Sequence, residues 1–380
     1  MLKILIIFGT RPEAIKLAPL IIAMKKHKIE HRICASAQHR GMLDQVLNTF
    51  NISADYDLDI MRPHQTLSDI TSSILVKITH VLDEYKPDIL FVHGDTTTTF
   101  AASLAAFYHK IDIAHVEAGL RTGDMYSPYP EEANRKLTAV LTKYHFAPTH
   151  HARKNLLNEM ISDDFIFVTG NTVIDALLLV KDKINRTVNL KKSLEERFSF
   201  LRLDAKMVLI TGHRRENFGN GFDNICSAIK MLAEKFTNVD FVYPVHLNPN
   251  VREPVRRYLS GLDNVHLIEP QEYVPFVYLM MRSYIILTDS GGIQEEAPSL
   301  GKPVLVMRNT TERVEALEAG TVRLVGTNIN VIIDETTKLL TNRALYDDMA
   351  KAVNPYGDGR ACKRILQFMQ EKQLIKRGIY

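Results

Sequence analysis

One stretch of the chain decides the fold: Tyr284-Ile285-Ile286-Leu287-Thr288-Asp289-Ser290-Gly291-Gly292-Ile293-Gln294-Glu295-Glu296. Its apolar start predicts a buried strand, and the residues after the glycines predict a helix. Glycines let the backbone approach a ligand, and the first N–H groups of a helix point outward unpaired. The stretch therefore predicts an anion site suited to a nucleotide diphosphate, with Glu296 placed to bind ribose hydroxyls. A plain tight turn is the alternative interpretation.

The composition indicates a globular protein of two domains. The chain has 380 residues, of which 46% are hydrophobic and 24% charged. A net charge of +3 and the lack of a long basic run argue against a nucleic-acid partner. The apolar N-terminal run is too short to span a membrane and carries no signal-peptide pattern. We expect no membrane partner.

The cysteines and histidines show no metal or disulfide spacing. The three cysteines lie far apart, and none of the fourteen histidines belongs to a metal-binding motif. This pattern fits a protein of the reducing cytoplasm.

Short apolar runs alternate with helix-period segments, which predicts an α/β protein with doubly wound sheets. Predicted strands of the first half are Ile4–Phe8, Arg32–Ala35, Ile89–His93, Ala114–Glu117 and Tyr144–Ala147. Those of the second half are Met207–Thr211, Asp240–Pro244, Val265–Leu267, Tyr284–Leu287 and Val304–Val306. We predict Rossmann-like domains at 1–170 and 171–363, with a final helix at about 364–380 returning to the first. Such sheets are expected to face a common cleft.

Polar side chains follow the predicted strands of the first domain. After the first strand, Thr10, Pro12 and Glu13 are explained by a capped helix, but Arg11 is a cation where the helix dipole disfavours one. Arg11 and Lys16 would suit a phosphate or a carboxylate.

Three acidic residues follow later strands of the same sheet. Asp95 could be an ordinary helix cap or a functional acid, and Glu117 ends a buried strand and needs a partner or a raised pKa. Glu131 comes soon after, beside Glu132, which a helix start explains better. Three carboxylates at one sheet edge could supply both an acid and a base.

The second domain shows corresponding loops. His213, Arg214 and Arg215 follow its first strand, and His213 could bind a pyrophosphate or move a proton. Gln271 and Phe276 could frame a base, and Arg313 adds a cation.

Taken together, six segments resemble the non-hydrolysing UDP-N-acetylglucosamine 2-epimerases of bacteria: Gly9–Lys16, His93–Thr99, His115–Arg121, Pro130–Asn134, Gly212–Asn217 and Asp289–Glu296. The resemblance extends from Met1 to about Ile365. It implies the GT-B architecture, two Rossmann-like domains facing a central cleft. It also implies reversible conversion of UDP-GlcNAc to UDP-ManNAc, by anti elimination of UDP to a 2-acetamidoglucal and re-addition, without metal or nicotinamide.

The resemblance also assigns residues. The family's catalytic positions are matched by Asp95, Glu117, Glu131 and His213. Its nucleotide-sugar contacts, which include Asp95, Glu117 and His213, are further matched by Arg11, Lys16, Gln271, Phe276, Ser290, Gly291, Gly292, Glu296 and Arg313. A second UDP-GlcNAc, acting as an allosteric activator, would contact Gln38, His39 and Arg214. The chain departs from the family's usual residues at Gly41, His64, Asn309 and Val314, which bears on activation rather than catalysis.

The resemblance further implies a cytoplasmic homodimer that supplies ManNAc units for bacterial surface polysaccharides. Three other functions stay open at this point. A hydrolysing epimerase would release UDP and ManNAc, a GT-B glycosyltransferase would leave C2 untouched, and a sensor would bind UDP-GlcNAc without turnover.

Overall fold

A computed structural model describes residues 2–36, 40–372 and 374. The chain forms two compact units, one of Met1–Ala176 with Tyr356–Tyr380 and the other of Leu177–Pro355. Along the chain, the boundaries between the units fall a few residues from those expected at 170 and 363. Asp175 accepts hydrogen bonds from the backbone N–H groups of Ala361 (3.1 Å) and Cys362 (2.9 Å). Because these bonds join the segment around Asp175 to the start of the helix at Ala361–Glu371, both segments belong to the first unit.

In the described residues, the first unit contains a seven-stranded parallel sheet. Its strands are β1 (Ile4–Phe8), β2 (His31–Ala35), β3 (Tyr56–Asp57), β4 (Ile89–His93), β5 (Asp112–Val116), β6 (Tyr144–Ala147) and β7 (Ile166–Val168). Their order is β3-β2-β1-β4-β5-β6-β7. All residues of β1 and β4 are buried, as expected for central parallel strands covered on both faces.

The second unit repeats this topology with six parallel strands in the described chain. They are β8 (Lys206–Thr211), β9 (Val239–Pro244), β10 (Val265–Ile268), β11 (Ile285–Thr288), β12 (Val304–Val306) and β13 (Val322–Leu324). The order β10-β9-β8-β11-β12-β13 is again that of a doubly wound sheet. The predicted α/β class is confirmed.

Helices connect the strands of both sheets. They are α1 (Arg11–Lys26), α2 (Arg40–Phe50), α3 (Leu67–Tyr85), α4 (Thr97–Tyr108), α5 (Glu131–Leu141), α6 (His150–Asn158), α7 (Thr172–Arg186), α8 (Val188–Arg197), α9 (Asn220–Lys235), α10 (Pro249–Leu259), α11 (Tyr273–Arg282), α12 (Gly291–Glu296), α13 (Val314–Glu318), α14 (Ile329–Thr341), α15 (Arg343–Lys351) and α16 (Ala361–Glu371). Short 3₁₀ turns lie at Asp163–Phe165, Arg215–Asn217 and Ala297–Leu300. No helix in the described ranges is long and apolar enough to cross a bilayer.

The last helix, α16, packs on the first sheet through an aromatic cluster. The ring of Phe368 lies 3.7 Å from that of Phe167, 5.5 Å from Phe146 and 5.7 Å from Tyr144, measured between centroids. This packing of aromatic rings holds α16, near the end of the chain, against the sheet of the first unit.

Sequence reasoning missed three strands, β3, β7 and β13, and misplaced several strand ends by one or two residues. The missed strands have only two or three residues each and are ordered by pairing with longer neighbours. Glu117 was predicted to end a strand, but β5 ends at Val116 and Glu117 has a left-handed φ of 66°. The residue pattern of a strand does not predict such a change of backbone direction at a non-glycine residue.

Two histidines on adjacent strands are buried in the first sheet. His115 on β5 and His145 on β6 are paired in register, and each is 1% exposed. Burial lowers the pKa of each to about 3, and in His115 a hydrogen bond to the carbonyl of Gly94 (2.7 Å) only partly opposes this effect. Both histidines are therefore neutral in the folded protein at neutral pH.

We predict that His115→Gln weakens the acid sensitivity of folding. Below the unfolded-state pKa of about 6.5, only the unfolded chain protonates this histidine, so the free energy of unfolding falls as the pH falls. Between pH 7 and pH 5 the variant should lose about 2 kcal/mol less than the parent, at about 1.4 kcal/mol per pKa unit. Urea unfolding at both pH values measures the difference, and the exposed His150→Gln is the control. The same pH dependence in H115Q and the parent would count against the prediction.

Candidate active site

Many of the polar residues predicted to be functional follow the two strands between which each sheet reverses its strand order. These switch points fall between β1 and β4 in the first unit, and between β8 and β11 in the second. Loops that leave neighbouring parallel strands at a switch point lie side by side at the carboxyl edge of the sheet. Each unit therefore forms one cluster of polar side chains.

In the first unit, a buried acid joins the two loops. Glu13 accepts hydrogen bonds from the N–H groups of Gly9 (3.1 Å) and Thr10 (2.7 Å), and from the hydroxyls of Thr10 (2.7 Å), Thr96 (2.7 Å) and Thr99 (3.2 Å). Burial raises the pKa of Glu13, and these bonds oppose the shift. The carboxyl group of Glu13 is engaged in holding α1 to α4, in addition to capping its own helix.

The turn before α1 leaves no room for a side chain. A Cβ atom at Gly9 would lie 2.4 Å from both Ser36 Oγ and Thr98 Oγ1, so only glycine fits. Arg11 begins α1 and is half-buried. It makes no hydrogen bond or ion pair with any residue that the structure describes, so its guanidinium is available to an anion.

Lys16 and Glu117 form a largely buried ion pair. Glu117 also accepts a hydrogen bond from Asn171 Nδ2 (2.7 Å), and its Oε2 lies 3.9 Å from Nε2 of His93. Burial lowers the pKa of His93 to about 4, so this ring is neutral at neutral pH. Lys16 and Asn171 thus supply the partners that a buried Glu117 requires.

Asp95 is held by the first turns of α5. Its Oδ2 lies 2.9 Å from Nε and 2.6 Å from Nη2 of Arg135, and its backbone carbonyl accepts a hydrogen bond from Asn134 (3.0 Å). The same arginine donates to the fully buried Glu132 (3.0 Å). Although burial alone would raise the pKa of Glu132, the bonds from Arg135 and from nearby backbone N–H groups lower it. Glu132 is a structural acid, in line with the simpler interpretation of the sequence.

Glu131 differs from the other two predicted catalytic carboxylates. It is the first residue of α5 and is half-buried. In the described part of the chain its carboxylate has no hydrogen-bond or ion-pair partner. The site therefore combines two carboxylates paired with cations and one that is not paired.

The second unit uses a buried acid in the same way. Asp289 follows β11 and accepts hydrogen bonds at Oδ2 from the N–H groups of His213 (2.8 Å) and Arg214 (2.8 Å), which follow β8. Tyr243 fixes the same loop by donating its hydroxyl to the carbonyl of Gly212 (3.0 Å). Burial lowers the pKa of His213, and the nearby His246 and Arg214 add to this effect, against the charge of Asp289.

The Ser290-Gly291-Gly292 turn opens α12, as predicted, with Ser290 at the N-cap. A Cβ atom at Gly291 would lie 3.3 Å from Cζ and Nη2 of Arg313, so the guanidinium lies directly over the turn. Glu295 fixes that guanidinium through a 2.7 Å bond to its Nε. The turn and Arg313 together provide N–H donors and a positive charge for an anion.

The remaining predicted contacts lie near the same helix. Glu296 ends α12 and is 8% exposed, and its Oε1 accepts a hydrogen bond from the Tyr273 hydroxyl (2.9 Å). Gln271 donates to the carbonyl of Glu269 (2.5 Å), and Phe276 lies half-buried in the second turn of α11. Within the described ranges, no group of three His, Cys, Asp or Glu residues could hold a metal ion.

Sequence reasoning overlooked the residues that orient the others. Arg135, Tyr273 and Asp289 were not selected, although Asp289 stands next to the serine of the decisive stretch. Their roles depend on contacts between segments distant in sequence, such as that between Arg214 and Asp289, which are 75 positions apart. The predicted activator contacts Gln38 and His39 lie outside the described residues, and Arg214 lies in the second unit.

We predict that Arg135→Gln destabilises the first unit, because it leaves the buried Glu132 without its cation. Breaking a buried pair from one side costs about 3 kcal/mol or more. Urea unfolding followed by circular dichroism measures the loss. Arg153→Gln is the matched control, since Arg153 pairs with Asp163 at the surface (2.5 Å) and should be nearly silent. Equal stability of the two variants would refute the structural role of Arg135.

Comparison with known proteins gives a consistent result. A family described as UDP-N-acetylglucosamine 2-epimerase matches residues 22–370. The chain is 62% identical to the enzyme of that name from Yersinia pestis, over 98% of this chain and 100% of that protein. The enzyme from Escherichia coli strain K12 is 58% identical, again over 98% of this chain and 100% of that protein.

Solved structures agree with the sequence comparison. The crystal structure of UDP-GlcNAc 2-epimerase from Neisseria meningitidis bound to UDP-GlcNAc is similar with a TM-score of 0.91 at 57% identity, over 97% of this chain and 100% of that one. A glycosyltransferase from Rickettsia africae shares the fold alone, at 14% identity and a TM-score of 0.63 over 99% of each chain. The GT-B class predicted from the sequence is confirmed. The chain belongs to the UDP-N-acetylglucosamine 2-epimerase family, whose members are isomerases.

Proposed function

We propose that this chain interconverts UDP-GlcNAc and UDP-ManNAc by inverting C2 while it keeps UDP bound. The observation that carries the proposal is the set of three carboxylates at one sheet edge: Asp95 paired with Arg135, Glu117 paired with Lys16, and Glu131 unpaired among the described residues. The Neisseria meningitidis relative, at 57% identity, is bound to UDP-GlcNAc, which supports the substrate.

The chemistry explains why one base would not suffice. The C2 proton of UDP-GlcNAc has no adjacent carbonyl to acidify it, so cleavage of the C1–O bond must lead. The electron pair of that bond leaves with UDP, positive charge builds on the ring, and the C2 proton passes to a base. The intermediate is a 2-acetamidoglucal, to which a proton returns at the opposite face of C2 as UDP re-adds at C1.

The first unit would act on the sugar. Asp95 and Glu117 are already engaged by cations, so their negative charge is fixed and would stabilise the oxocarbenium-like ring. Glu131 has an unengaged carboxylate and is the proposed proton carrier. One unpaired and two paired carboxylates fit a reaction that needs both proton transfer and electrostatic stabilisation.

The second unit would hold the nucleotide. The turn at Ser290, Gly291 and Gly292, with Arg313 above it, would bind the diphosphate, and His213 would donate to it as negative charge develops. Glu296 would take the ribose hydroxyls. Gln271 and Phe276 would contact the base, and by the family resemblance Arg11 would contact the nucleotide sugar.

Wider expectations rest on the family resemblance. We propose a homodimer of the cytoplasm that supplies ManNAc units for bacterial surface polysaccharides. We also propose a second UDP-GlcNAc as activator, with contacts from Gln38, His39 and Arg214.

The function is tested by incubating purified protein with UDP-GlcNAc in heavy water without added metal or nicotinamide. Proton NMR should show UDP-ManNAc that carries deuterium at C2. Product without deuterium at C2 would contradict the elimination. Release of free UDP and ManNAc in equal amounts would show a hydrolysing epimerase instead. An unchanged substrate would contradict catalysis and favour a protein that only binds UDP-GlcNAc.

We predict that Glu131→Gln abolishes turnover while preserving the fold. Loss of a positioned proton carrier lowers kcat by about 10²–10⁴. Because no described residue binds this carboxylate, the unfolding transition should remain unchanged, and calorimetric affinity for UDP should stay within about threefold. Glu195→Gln, on the exposed surface of α8, is the control. If E131Q turned over at the parental rate, Glu131 would lose its assigned role.

A further inference from the structure

We propose that Asp289 is a positioning residue that orients the His213 imidazole through Nδ1, so that Nε2 faces the departing diphosphate. The inference deepens the proposed function and rests on it. Asp289 directly precedes the serine of the anion-binding turn, and none of its surface is exposed.

The two carboxylate oxygens of Asp289 have different environments. Oδ2 accepts the N–H groups of His213 and Arg214 at 2.8 Å and lies 3.5 Å from Asn217 Nδ2. Oδ1 is buried and has no hydrogen-bond partner among the residues that the structure describes. A buried carboxylate oxygen without a donor costs free energy, so Oδ1 must find one.

Nδ1 of His213 is the donor within reach. It lies 3.5 Å from Oδ1, longer than a good hydrogen bond but close enough for a small rotation of the imidazole to form one. Catalytic hydrogen bonds of this kind are often long before ligand binding and shorten in the complex. Forming the bond requires hydrogen on Nδ1, which selects the tautomer and leaves Nε2 pointing away from Asp289.

Asp289 is the neighbour of His213 whose charge favours the protonated ring. The titratable groups that face the ring are Asp289, His246 and Arg214. The ring of His246 stacks on that of His213 with centroids 5.4 Å apart and planes 17° from parallel. Among these neighbours only Asp289 favours the imidazolium, since burial, His246 and Arg214 all lower the pKa of His213.

The consequence concerns the leaving group. When the C1–O bond breaks, negative charge grows on the β-phosphate. An imidazolium held between Asp289 and that phosphate donates Nε2–H to it with full charge assistance. Without the aspartate, the pKa of the imidazole would fall further, and its tautomer would no longer be fixed.

Asp289→Asn tests the orientation of the His213 imidazole separately from the structure of the loop at His213 and Arg214. Its amide oxygen can still accept the two backbone N–H groups, but its NH₂ group then faces Nδ1 and favours the opposite tautomer. We expect kcat to fall by about 10², as for loss of one donor to a developing oxyanion, with KM within about threefold. The alkaline limb of the kcat profile should move to lower pH, because His213 loses the one neighbour that favours its charged form.

Tyr243→Phe is the matched control, since it removes the bond to the Gly212 carbonyl in the same loop without touching the imidazole. It should leave the pH profile in place. If D289N kept its kcat within twofold, or if D289N and Y243F lowered kcat equally without moving the alkaline limb, Asp289 would have no orienting role.

A second measurement reads the tautomer in the parent protein and uses a variant only to assign resonances. In ¹⁵N-labelled protein saturated with UDP, the His213 resonances are assigned by their loss in His213→Gln. The proposal predicts a protonated Nδ1, whereas a neutral ring protonated only at Nε2 would overturn it. Because this readout does not require turnover, it remains valid if the parent protein fails to epimerise, which would refute the proposed function alone.

Discussion

One constraint recurs in both halves of the molecule: a buried carboxylate joins the two loops of each switch point. Glu13 binds the N–H groups at the start of α1 together with hydroxyls of Thr96 and Thr99. Asp289 binds the N–H groups of His213 and Arg214. Loops that must bind anions expose N–H donors, and such loops need an internal acceptor to hold their shape. Arg11, Lys16 and Asp95 lie on these loops or on the helix that follows them in the first unit. His213, Ser290 and Glu296 do so in the second unit.

The acids of the first unit fall into three groups by the partners that hold them. Glu13 and Glu132 are fully engaged, Asp95 and Glu117 each have a cation, and Glu131 has neither kind of partner in the described chain. Fixed negative charge stabilises a positive ring without protein reorganisation, while an unengaged carboxylate can exchange a proton. In the second unit the donors over the Ser290 turn would keep UDP in place after the bond breaks. Retention of UDP is what distinguishes an epimerase from a hydrolase.

Much of the fold follows from the sequence, because central parallel strands are buried on both faces and appear as apolar runs. The bounds of β1, β4, β6 and β12 agree with the prediction. No pattern in the sequence predicts the short edge strand β3, because its two residues become a strand only by pairing with β2. The left-handed turn at Glu117 also escaped prediction, because residues with φ > 0 are usually glycine.

The candidate site residues were selected one by one from the sequence, whereas the contacts among them were not predicted. Lys16 was expected to meet a phosphate or a carboxylate, and the structure pairs it with Glu117. The pairing of Asp95 with Arg135, and of Asp289 with the His213 loop, joins segments 40 and 76 residues apart. Local motifs identify which side chains follow the strands at the sheet edge, whereas tertiary contacts decide how those side chains are paired.

The central claim, that the C1–O bond breaks reversibly while UDP stays bound, can be tested directly with isotopically labelled substrate. UDP-GlcNAc would carry ¹⁸O in the bridge between C1 and the β-phosphorus, and ³¹P NMR would follow the label during epimerisation. If UDP is released from C1 but retained, its β-phosphate can rotate, and the label should appear in non-bridging positions of the recovered nucleotide sugar without free UDP. Epimerisation with the label confined to the bridge would contradict the account.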